Sequence, residues 1–281
     1  YNTSLNAYYT KSDINTGTVG LGGQSFDVSG KGEFWGIRAT YALPRWGETS
    51  QHVSLALDDR YFESTLSTTG LIQSVPVGSR PVSLRYTARR EQPRSTLGGF
   101  VEYVINTGGG RANSDVEYAV SALRTGENPD PNWKAWRWGV EAHQGIATNW
   151  LMIGRFRGQY ADEPLIPGEQ FGLGGAASVR GLRERETSGD RGYFFNFELQ
   201  APSPGVGVLP FVFYDHGYRR HVSPVPGLPT KESVSSMGAG LRWNWQRKLD
   251  VSITYANVLN GVAAGTPSGH DKLLFSAFYR F

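Results

Sequence analysis

Cysteine is absent from the 281 residues, and methionine occurs only twice. Without cysteine the chain can form neither a disulfide framework nor a thiolate metal site. No apolar run reaches the roughly 18 residues that a transmembrane helix needs, the longest being GVGVLPFVFY at 205–214. Long amphipathic runs of helix-forming residues are missing as well. These absences exclude a helical membrane protein and leave a membrane β-barrel open.

A strong excess of either charge is also missing, since 28 Lys and Arg residues face 25 Asp and Glu residues for a net charge of +3. The basic residues are scattered along the chain, so we expect no nucleic-acid partner. No secretory signal opens the sequence, which starts at Tyr1 inside a strand-like pattern. We therefore expect upstream sequence to be missing, including part of a first strand.

Glycine and aromatic residues are abundant, with 36 Gly, 14 Tyr, 14 Phe and 8 Trp, which favours β-structure with tight turns. The main pattern alternates with period two. In NWLMIGRFRGQY (149–160), Trp150 and Phe156 fall on one face, and Arg155 and Arg157 fall on the other. About fifteen segments alternate in this way, each near the 9 to 11 residues of a tilted membrane-spanning strand.

A soluble β-sandwich would alternate too, with its apolar face turned inward. Trp and Tyr near the segment ends instead suit the aromatic girdles of a membrane barrel. The final segment KLLFSAFYRF, which ends at Phe281, resembles the last strand of bacterial outer-membrane proteins. In hydrocarbon every unpaired backbone group is costly, so such a sheet must close on itself. The pattern predicts an all-β fold, a transmembrane antiparallel β-barrel, with a single domain over residues 1–281.

One long segment, 161–191, interrupts the alternation and is rich in Gly, Arg and Glu. Loops longer than about 12 to 15 residues are usually functional or disordered. This one contains PLIPGEQFGLGGAASVRG (164–181), and GDRG (189–192) and FYDHG (213–217) follow. Five strand-like segments come after it. The segment is thus predicted to be one functional loop between two strands.

These ordered motifs resemble the outer-membrane superfamily of protein insertases and two-partner secretion transporters. Members carry VRG(F/Y) on a long loop folded into the lumen of a sixteen-stranded barrel, and F-x-D-x-G on a nearby strand. The EQF-x-LGG sequence is more similar to the two-partner secretion branch. Leu182 stands where an aromatic residue is usual. The resemblance therefore implies a barrel of about sixteen strands with this loop inside.

The residues allow a specific contact. Alternation along 209–217 points Asp215 to the lumen, because a carboxylate on the lipid face would be penalised. A guanidinium on a long loop can bind such a carboxylate through two parallel hydrogen bonds, so we predict that Arg180 pairs with Asp215. The alternative is a solvated Arg180, with Asp215 bound to Arg155 or Arg242. The predicted loop-anchoring residues are Val179, Arg180, Gly181, Phe213, Asp215 and Gly217.

Other charged residues share the predicted lumen face. They fit a hydrated pore, and the alternative is that they neutralise one another through partners such as Glu141. Both can hold together. The predicted pore-lining residues are Arg38, Arg85, Arg137, Arg155, Arg157, Glu198 and Arg242.

A hydrolase is the main alternative from another class of protein. The five histidines occur singly in separate segments, and no G-x-S-x-G, H-E-x-x-H or metal-ligand spacing is present. We therefore predict that the protein is not an enzyme and has no cofactor, no metal site and no catalytic residues. A passive porin is disfavoured by the loop motif.

The resemblance implies a pore in the Gram-negative outer membrane that secretes a large unfolded exoprotein of the adhesin or haemolysin type. Family members normally carry periplasmic domains before the barrel, and these are not in this sequence. Outer-membrane lipid is the expected environment, and a monomer is the expected state. An outer-membrane insertase is the alternative with the same fold.

Overall fold

The computed structural model describes residues 2–12, 18–21, 24–27, 31–68, 71–125, 129–203, 205, 207–223, 229–246 and 248–280. Tyr1 and Phe281, named above for the first and last strands, lie outside these ranges. One helix, α1, spans Asp115–Thr125. The strands are β1 Thr3–Ser12, β2 Thr18–Leu21, β3 Gln24–Asp27, β4 Lys31–Trp46, β5 Thr49–Thr68, β6 Leu71–Ser79, β7 Pro81–Gln92, β8 Ser95–Asn106, β9 Lys134–Ala147, β10 Trp150–Ala161, β11 Phe171–Leu173, β12 Thr187–Gly189, β13 Arg191–Gln200, β14 Val208–Arg220, β15 Lys231–Trp245, β16 Leu249–Asn260 and β17 Asp271–Tyr279.

Thirteen strands form one antiparallel sheet in the order β1-β4-β5-β7-β8-β9-β10-β13-β14-β15-β16-β17, with β6 paired to β5. Strand β5 pairs with β7 along its first half and with β6 along its second half, so β6 and β7 are two parts of one interrupted strand. The sequence pattern contains about fifteen alternating segments, and the family resemblance implies about sixteen strands, whereas thirteen strands form the main sheet within the described residues. Several strands are longer than expected, up to 20 residues in β5, and they use more of the described chain.

The apolar face of this sheet is turned outward. Along β16 and β17, for example, Ile253 and Phe275 are directly opposite each other, and their exposed fractions are 43% and 67%. Polar side chains such as Asp215 and Glu198 point to the opposite face and are buried. A soluble sandwich would bury its apolar face, so this arrangement contradicts that alternative and matches the wall of a membrane barrel.

The two ends of the sheet differ in their connections. At one end, two-residue turns join three successive strand pairs, at 47–48, 93–94 and 148–149. At the other end the connections are long, at 107–133, 162–190, 221–230 and 261–270. Outer-membrane barrels have short periplasmic turns and longer extracellular loops. The long-loop end is therefore the extracellular end.

Helix α1 lies in the long connection between β8 and β9 and was not predicted from the sequence. It has a visible start signal, because Ser114 at the N-cap and Glu117 three residues later have the sequence spacing of a capping box; the Ser114 hydroxyl donates to the Glu117 carboxylate. Its Tyr118 is buried against Trp133, whose indole N–H donates to the tyrosine oxygen at 3.3 Å. Within the described residues, no helix has the length and apolar character to span a membrane.

The predicted loop is confirmed as one connection, because β10 ends at Ala161, β13 begins at Arg191, and five strands of the main sheet follow from there. The loop contains a short hairpin of β11 and β12. Its residues Leu165 and Ile166 pack into a buried apolar cluster with Phe34 and Phe62 of the sheet. A second cluster is formed by Leu173, Val179, Leu182, Phe194, Val234 and Val258. The loop thus lies on the inner face of the sheet, inside the barrel.

Candidate functional site: the lumenal loop and its anchors

The tip of the loop rests directly on the barrel wall. Val179 and Leu182 are completely buried. Gly181 between them has φ +100°, and a Cβ added there would lie 2.8 Å from Cγ2 of Val258 in β16. Glycine is needed at this position both for its left-handed backbone and for the close approach. The Val-Arg-Gly triplet therefore places the arginine at a fixed point on the inner face.

Arg180 binds Asp215 in a bidentate geometry. Its Nε donates to Oδ2 at 2.7 Å and its Nη2 donates to Oδ1 at 2.8 Å, while the backbone N–H of Arg180 donates to Oδ2 at 3.0 Å. The Asp215 side chain is fully buried, and that of Arg180 is 11% exposed. The guanidinium also lies 3.5 Å from the ring centroid of Phe213. Charge, direction and stacking all hold the arginine in one orientation.

Neighbouring strands complete this anchor. Asn196 of β13 donates to Oδ1 of Asp215 at 2.8 Å and also to the backbone carbonyl of Ser178 in the loop. Gly217 of β14 gives the loop space, since a Cβ there would lie 3.2 Å from Cγ2 of Val179. All six predicted anchoring residues therefore meet at one place on the lumen wall.

Neither alternative partner reaches Asp215. Arg242 binds Glu198, with Nη2 donating to Oε2 at 2.9 Å, and Arg155 pairs with Glu141 at 3.6 Å. Glu198 also accepts a hydrogen bond from Nη1 of Arg180 at 3.2 Å. Because Glu198 binds both arginines, it links the loop anchor to the next strand, β15.

A second anchor, centred on Glu169, was not predicted. Its carboxylate is completely buried in the lumen, 2.9 Å from Nη1 of Arg60 and 2.8 Å from Nη2 of Arg137. Ser79 donates a third hydrogen bond at 2.5 Å. Burial alone would raise the pKa of Glu169, but the two arginine charges outweigh it and hold that pKa below its ordinary value. This clamp ties the start of the loop to β5, β6 and β9.

The returning part of the loop is tied to the last strands. Nζ of Lys272 in β17 donates to the carbonyl of Leu182 at 2.8 Å. The Glu186 carboxylate accepts hydrogen bonds from the backbone N–H and hydroxyl of Thr266, at 2.6 and 2.8 Å. Burial alone would raise the pKa of Glu186. These hydrogen bonds, together with one from the backbone N–H of Arg183, outweigh burial and hold the pKa below its ordinary value. The loop therefore contacts the wall on opposite sides of the lumen.

A cavity of about 620 Å³ lies beside the loop. Arg85 pairs with Glu102 at 3.1 Å within it. Arg38 is buried without a hydrogen bond or ion pair to any described residue, and Arg157 is exposed. The predicted pore-lining residues that border this cavity are Arg38, Arg85, Arg137, Arg155 and Arg157. The lumen arginines thus include both neutralised and unneutralised groups.

Buried acidic side chains around the loop accept hydrogen bonds from the protein. Within the described ranges, no three His, Asp or Glu side chains come together as a possible metal site. Glu169 and Asp215 are each bound by arginine. Asp190 is also fully buried and accepts hydrogen bonds from the backbone N–H groups of Leu165 and Val222. The arrangement can hold a loop in place and present polar groups to a passing chain.

Comparison with solved structures shows the fold. CdiB from Escherichia coli superposes with a TM-score of 0.77 at 18% sequence identity, over 99% of this chain and 51% of that one. CdiB from Acinetobacter baumannii superposes with a TM-score of 0.68 at 18% sequence identity, over 98% of this chain and 46% of that one. BamA from Haemophilus ducreyi lacking POTRA domains 1–3 superposes with a TM-score of 0.63 at 13% sequence identity, over 98% of this chain and 59% of that one. This chain is therefore a transmembrane antiparallel β-barrel that spans about half the length of these proteins.

Sequence comparison identifies the family. The outer membrane transporter CdiB of Dickeya dadantii (strain 3937) is 33% identical over 86 residues, which cover 31% of this chain and 15% of that protein. The model of the haemolysin secretion/activation protein family ShlB/FhaC/HecB matches residues 2–243. Matching most of the chain, it shows that this outer-membrane barrel of a Gram-negative bacterium belongs to the haemolysin secretion/activation protein family.

Proposed function

We propose that this barrel is the pore of a two-partner secretion transporter and that it passes an unfolded exoprotein across the outer membrane. The observation that carries the proposal is the anchored loop: Arg180, at the tip of a 29-residue connection between Ala161 and Arg191, is fixed to Asp215 inside the lumen. A loop fixed at this place occupies the route that a transported chain would take. Its position therefore controls passage.

The lumen surface supports passage of an extended polypeptide. The cavity beside the loop is lined by arginines and glutamates together with aromatic side chains such as Phe100 and Trp138. Such a wall can exchange hydrogen bonds with a moving backbone without binding any one side chain tightly. The client we propose is a large exoprotein of the adhesin or haemolysin type, which folds into a β-helix only outside the cell.

We further propose that the barrel is not an enzyme and works without a cofactor or nucleotide. The hydrolase alternative would need a nucleophile, a base and an orienting group at one rim. The insertase alternative shares the fold, as the similarity to BamA indicates. The family match and the sequence around Glu169 favour secretion over insertion.

Two properties of the surroundings complete the proposal. The outward apolar face, with Leu273 and Phe275 exposed on the last strand, suits direct contact with outer-membrane lipid. Since each barrel holds its own loop and its own lumen, we propose that one copy suffices for transport.

The decisive experiment measures release of the partner exoprotein, encoded beside the transporter gene, into the medium. Cells produce either the full-length transporter or its Arg180→Ala variant, and the matched control is Arg45→Ala, which removes an exposed arginine beside the short turn at 47–48. We expect Arg180→Ala to abolish release while the barrel remains folded and heat-modifiable in the outer membrane, and Arg45→Ala to keep it. Full release by Arg180→Ala would contradict the proposal. A general loss of other outer-membrane barrels in cells lacking the protein would favour the insertase function instead.

A further inference from the structure

Three basic side chains stand side by side on the outer face of the barrel at its extracellular end. Arg191 begins β13, Arg220 ends β14 and Lys231 begins β15. The register places Arg191 directly opposite Arg220 and Arg220 directly opposite Lys231. Adjacent strands are about 4.8 Å apart, so three positive charges are held in a short row across three strands.

The protein neutralises only one member of this row. The side chains of Arg220 and Lys231 are exposed and form no hydrogen bond or ion pair with the described residues. Arg191 donates to the carbonyl of Ala161 at 2.7 Å and pairs with Asp162 at 3.2 Å, a carboxylate that is 72% exposed. Like charges directly opposite each other on a sheet repel. The row is therefore stable where an anion lies against it.

The surroundings of the row locate that anion in the membrane. Tyr193 and Tyr218 lie two positions nearer the strand centres, on the same side of the sheet as the row. Their rings are stacked, with centroids 5.6 Å apart. Arg191 also covers the ring of Tyr160 at 4.2 Å. Tyrosine rings on the outer face of a barrel mark the boundary between hydrocarbon and headgroups. Groups about 7 Å beyond them lie at the level of lipid phosphates.

The row lies at the long-loop end of the barrel and thus contacts the outer leaflet. A guanidinium binds a phosphate through two parallel hydrogen bonds, and an ammonium group adds a compact charge. A soluble anion would not need the adjoining tyrosines, whereas an acyl chain below the phosphate would pack against them. We propose that Arg191, Arg220 and Lys231 form a binding site for the phosphate groups of a phosphorylated outer-leaflet lipid of the lipid A type.

The test uses the full-length transporter in detergent and titrates it with diphosphoryl lipid A, counting bound lipid by native mass spectrometry. The variant is Arg220→Gln with Lys231→Gln. The matched control is Arg90→Gln with Lys248→Gln, which removes the same two charge types at the short-turn end. We expect the variant to bind at least about tenfold more weakly, because it loses charge-assisted hydrogen bonds, and the control to bind like the wild type.

Two further arms keep the outcome clear. Lipid A without its phosphates should bind wild type and variant equally, and the variant Arg220→Lys with Lys231→Arg, which keeps both charges, should keep most of the binding. Equal binding of diphosphoryl lipid A by wild type and the glutamine variant would overturn the proposal, as would an equal loss in the Arg90 and Lys248 control. Failure of the wild type to prefer the phosphorylated lipid would overturn it as well.

Discussion

Arg180 and Asp215, 35 residues apart in the chain, are joined by three hydrogen bonds of 2.7 to 3.0 Å inside the barrel. Two of these come from the guanidinium fork and one from the arginine's own backbone. The carboxylate thus fixes both the side chain and the backbone of the loop tip. A simple charge interaction would fix neither the side chain nor the backbone in one orientation. The contribution of the planar guanidinium can therefore be tested.

Arg180→Lys should weaken the anchor although it keeps the charge. An ammonium group cannot reproduce the fork that meets both oxygens of Asp215. Asp215→Asn should be more severe, because it leaves the mostly buried Arg180 with only Glu198, and breaking a buried pair costs about 3 to 5 kcal/mol. Amide hydrogen exchange over 176–183 measures the effect. We expect the slowest exchange in the wild type, faster exchange in Arg180→Lys and the fastest in Asp215→Asn. Unchanged exchange in Asp215→Asn would show that the apolar contacts hold the tip alone.

Glu169→Gln should loosen a different part of the loop. The amide cannot neutralise Arg60 and Arg137, which lie 2.9 and 2.8 Å from the carboxylate. Arg60 would keep Asp58, 2.6 Å from its Nη2, whereas the mostly buried Arg137 would lose its carboxylate partner. We expect faster exchange over 162–170 and little change over 176–183. Glu91→Gln is the control, since its partner Arg89 is 58% exposed. A uniform change over both segments would indicate that the loop moves as one unit.

The same carboxylate predicts a dependence on pH. The pKa of Glu169 is lower in the folded protein than in the unfolded chain, where the pKa of a glutamate is about 4.3. Its stabilising contribution is therefore complete above that unfolded value and is lost as the pH falls through the folded pKa. The free energy of loop opening, measured by exchange between neutral and acidic pH, should decrease on acidification. Glu169→Gln should flatten this dependence, and a slope equal to that of the wild type would assign it to other groups.

Gly181→Ala separates backbone strain from contact with the wall. At Gly181 an added methyl group meets Val258 at 2.8 Å and the backbone has φ +100°. Gly269 has φ +80° with nothing within 4 Å of the added atom, so Gly269→Ala is the control for strain alone. Strain of this kind costs about 1 to 3 kcal/mol. We expect Gly181→Ala to destabilise loop docking more than the control does, and Val258→Ala to recover the difference in the double variant.

The strand faces and the main loop contact could be predicted from the sequence for a physical reason. Alternation with period two puts Phe211, Phe213 and Asp215 on one face, and that face was assigned to the lumen because a carboxylate on the lipid face would be penalised. The partner Arg180 followed from the resemblance and from the reach of its side chain. Both are short-range or motif-level signals.

Glu169 and α1 could not be found in the same way. The carboxylate of Glu169 meets Arg60 and Arg137, which are 109 and 32 residues away and lie on strands that the sequence cannot place side by side. Nothing near Glu169 distinguishes a buried clamp from a solvated loop residue. The helix has a local signal in Ser114 and Glu117, but one capping box in a glycine-rich connection does not outweigh the surrounding strand pattern.

Leu182 offers a last test, because the related transporters and insertases usually carry an aromatic residue there. In this protein it is completely buried in the cluster with Val234 and Val258. Leu182→Ala should leave a cavity and destabilise loop docking by about 2 to 5 kcal/mol. Leu182→Phe should also destabilise it, by about 1 to 3 kcal/mol, because the wall is already packed to leucine volume.

Val234→Ala is the compensating change, since it removes volume from the same cluster. If the packing here is fitted to leucine, Leu182→Phe with Val234→Ala should dock the loop better than either single variant, as judged by protection of residues 176–183 from exchange. If Leu182→Phe docks the loop as well as the wild type does without Val234→Ala, the side chains of the wall can move to make room at this point. The loop would then be held mainly by the polar contacts of Arg180, and its apolar tip would be free to leave the wall once that arginine is released.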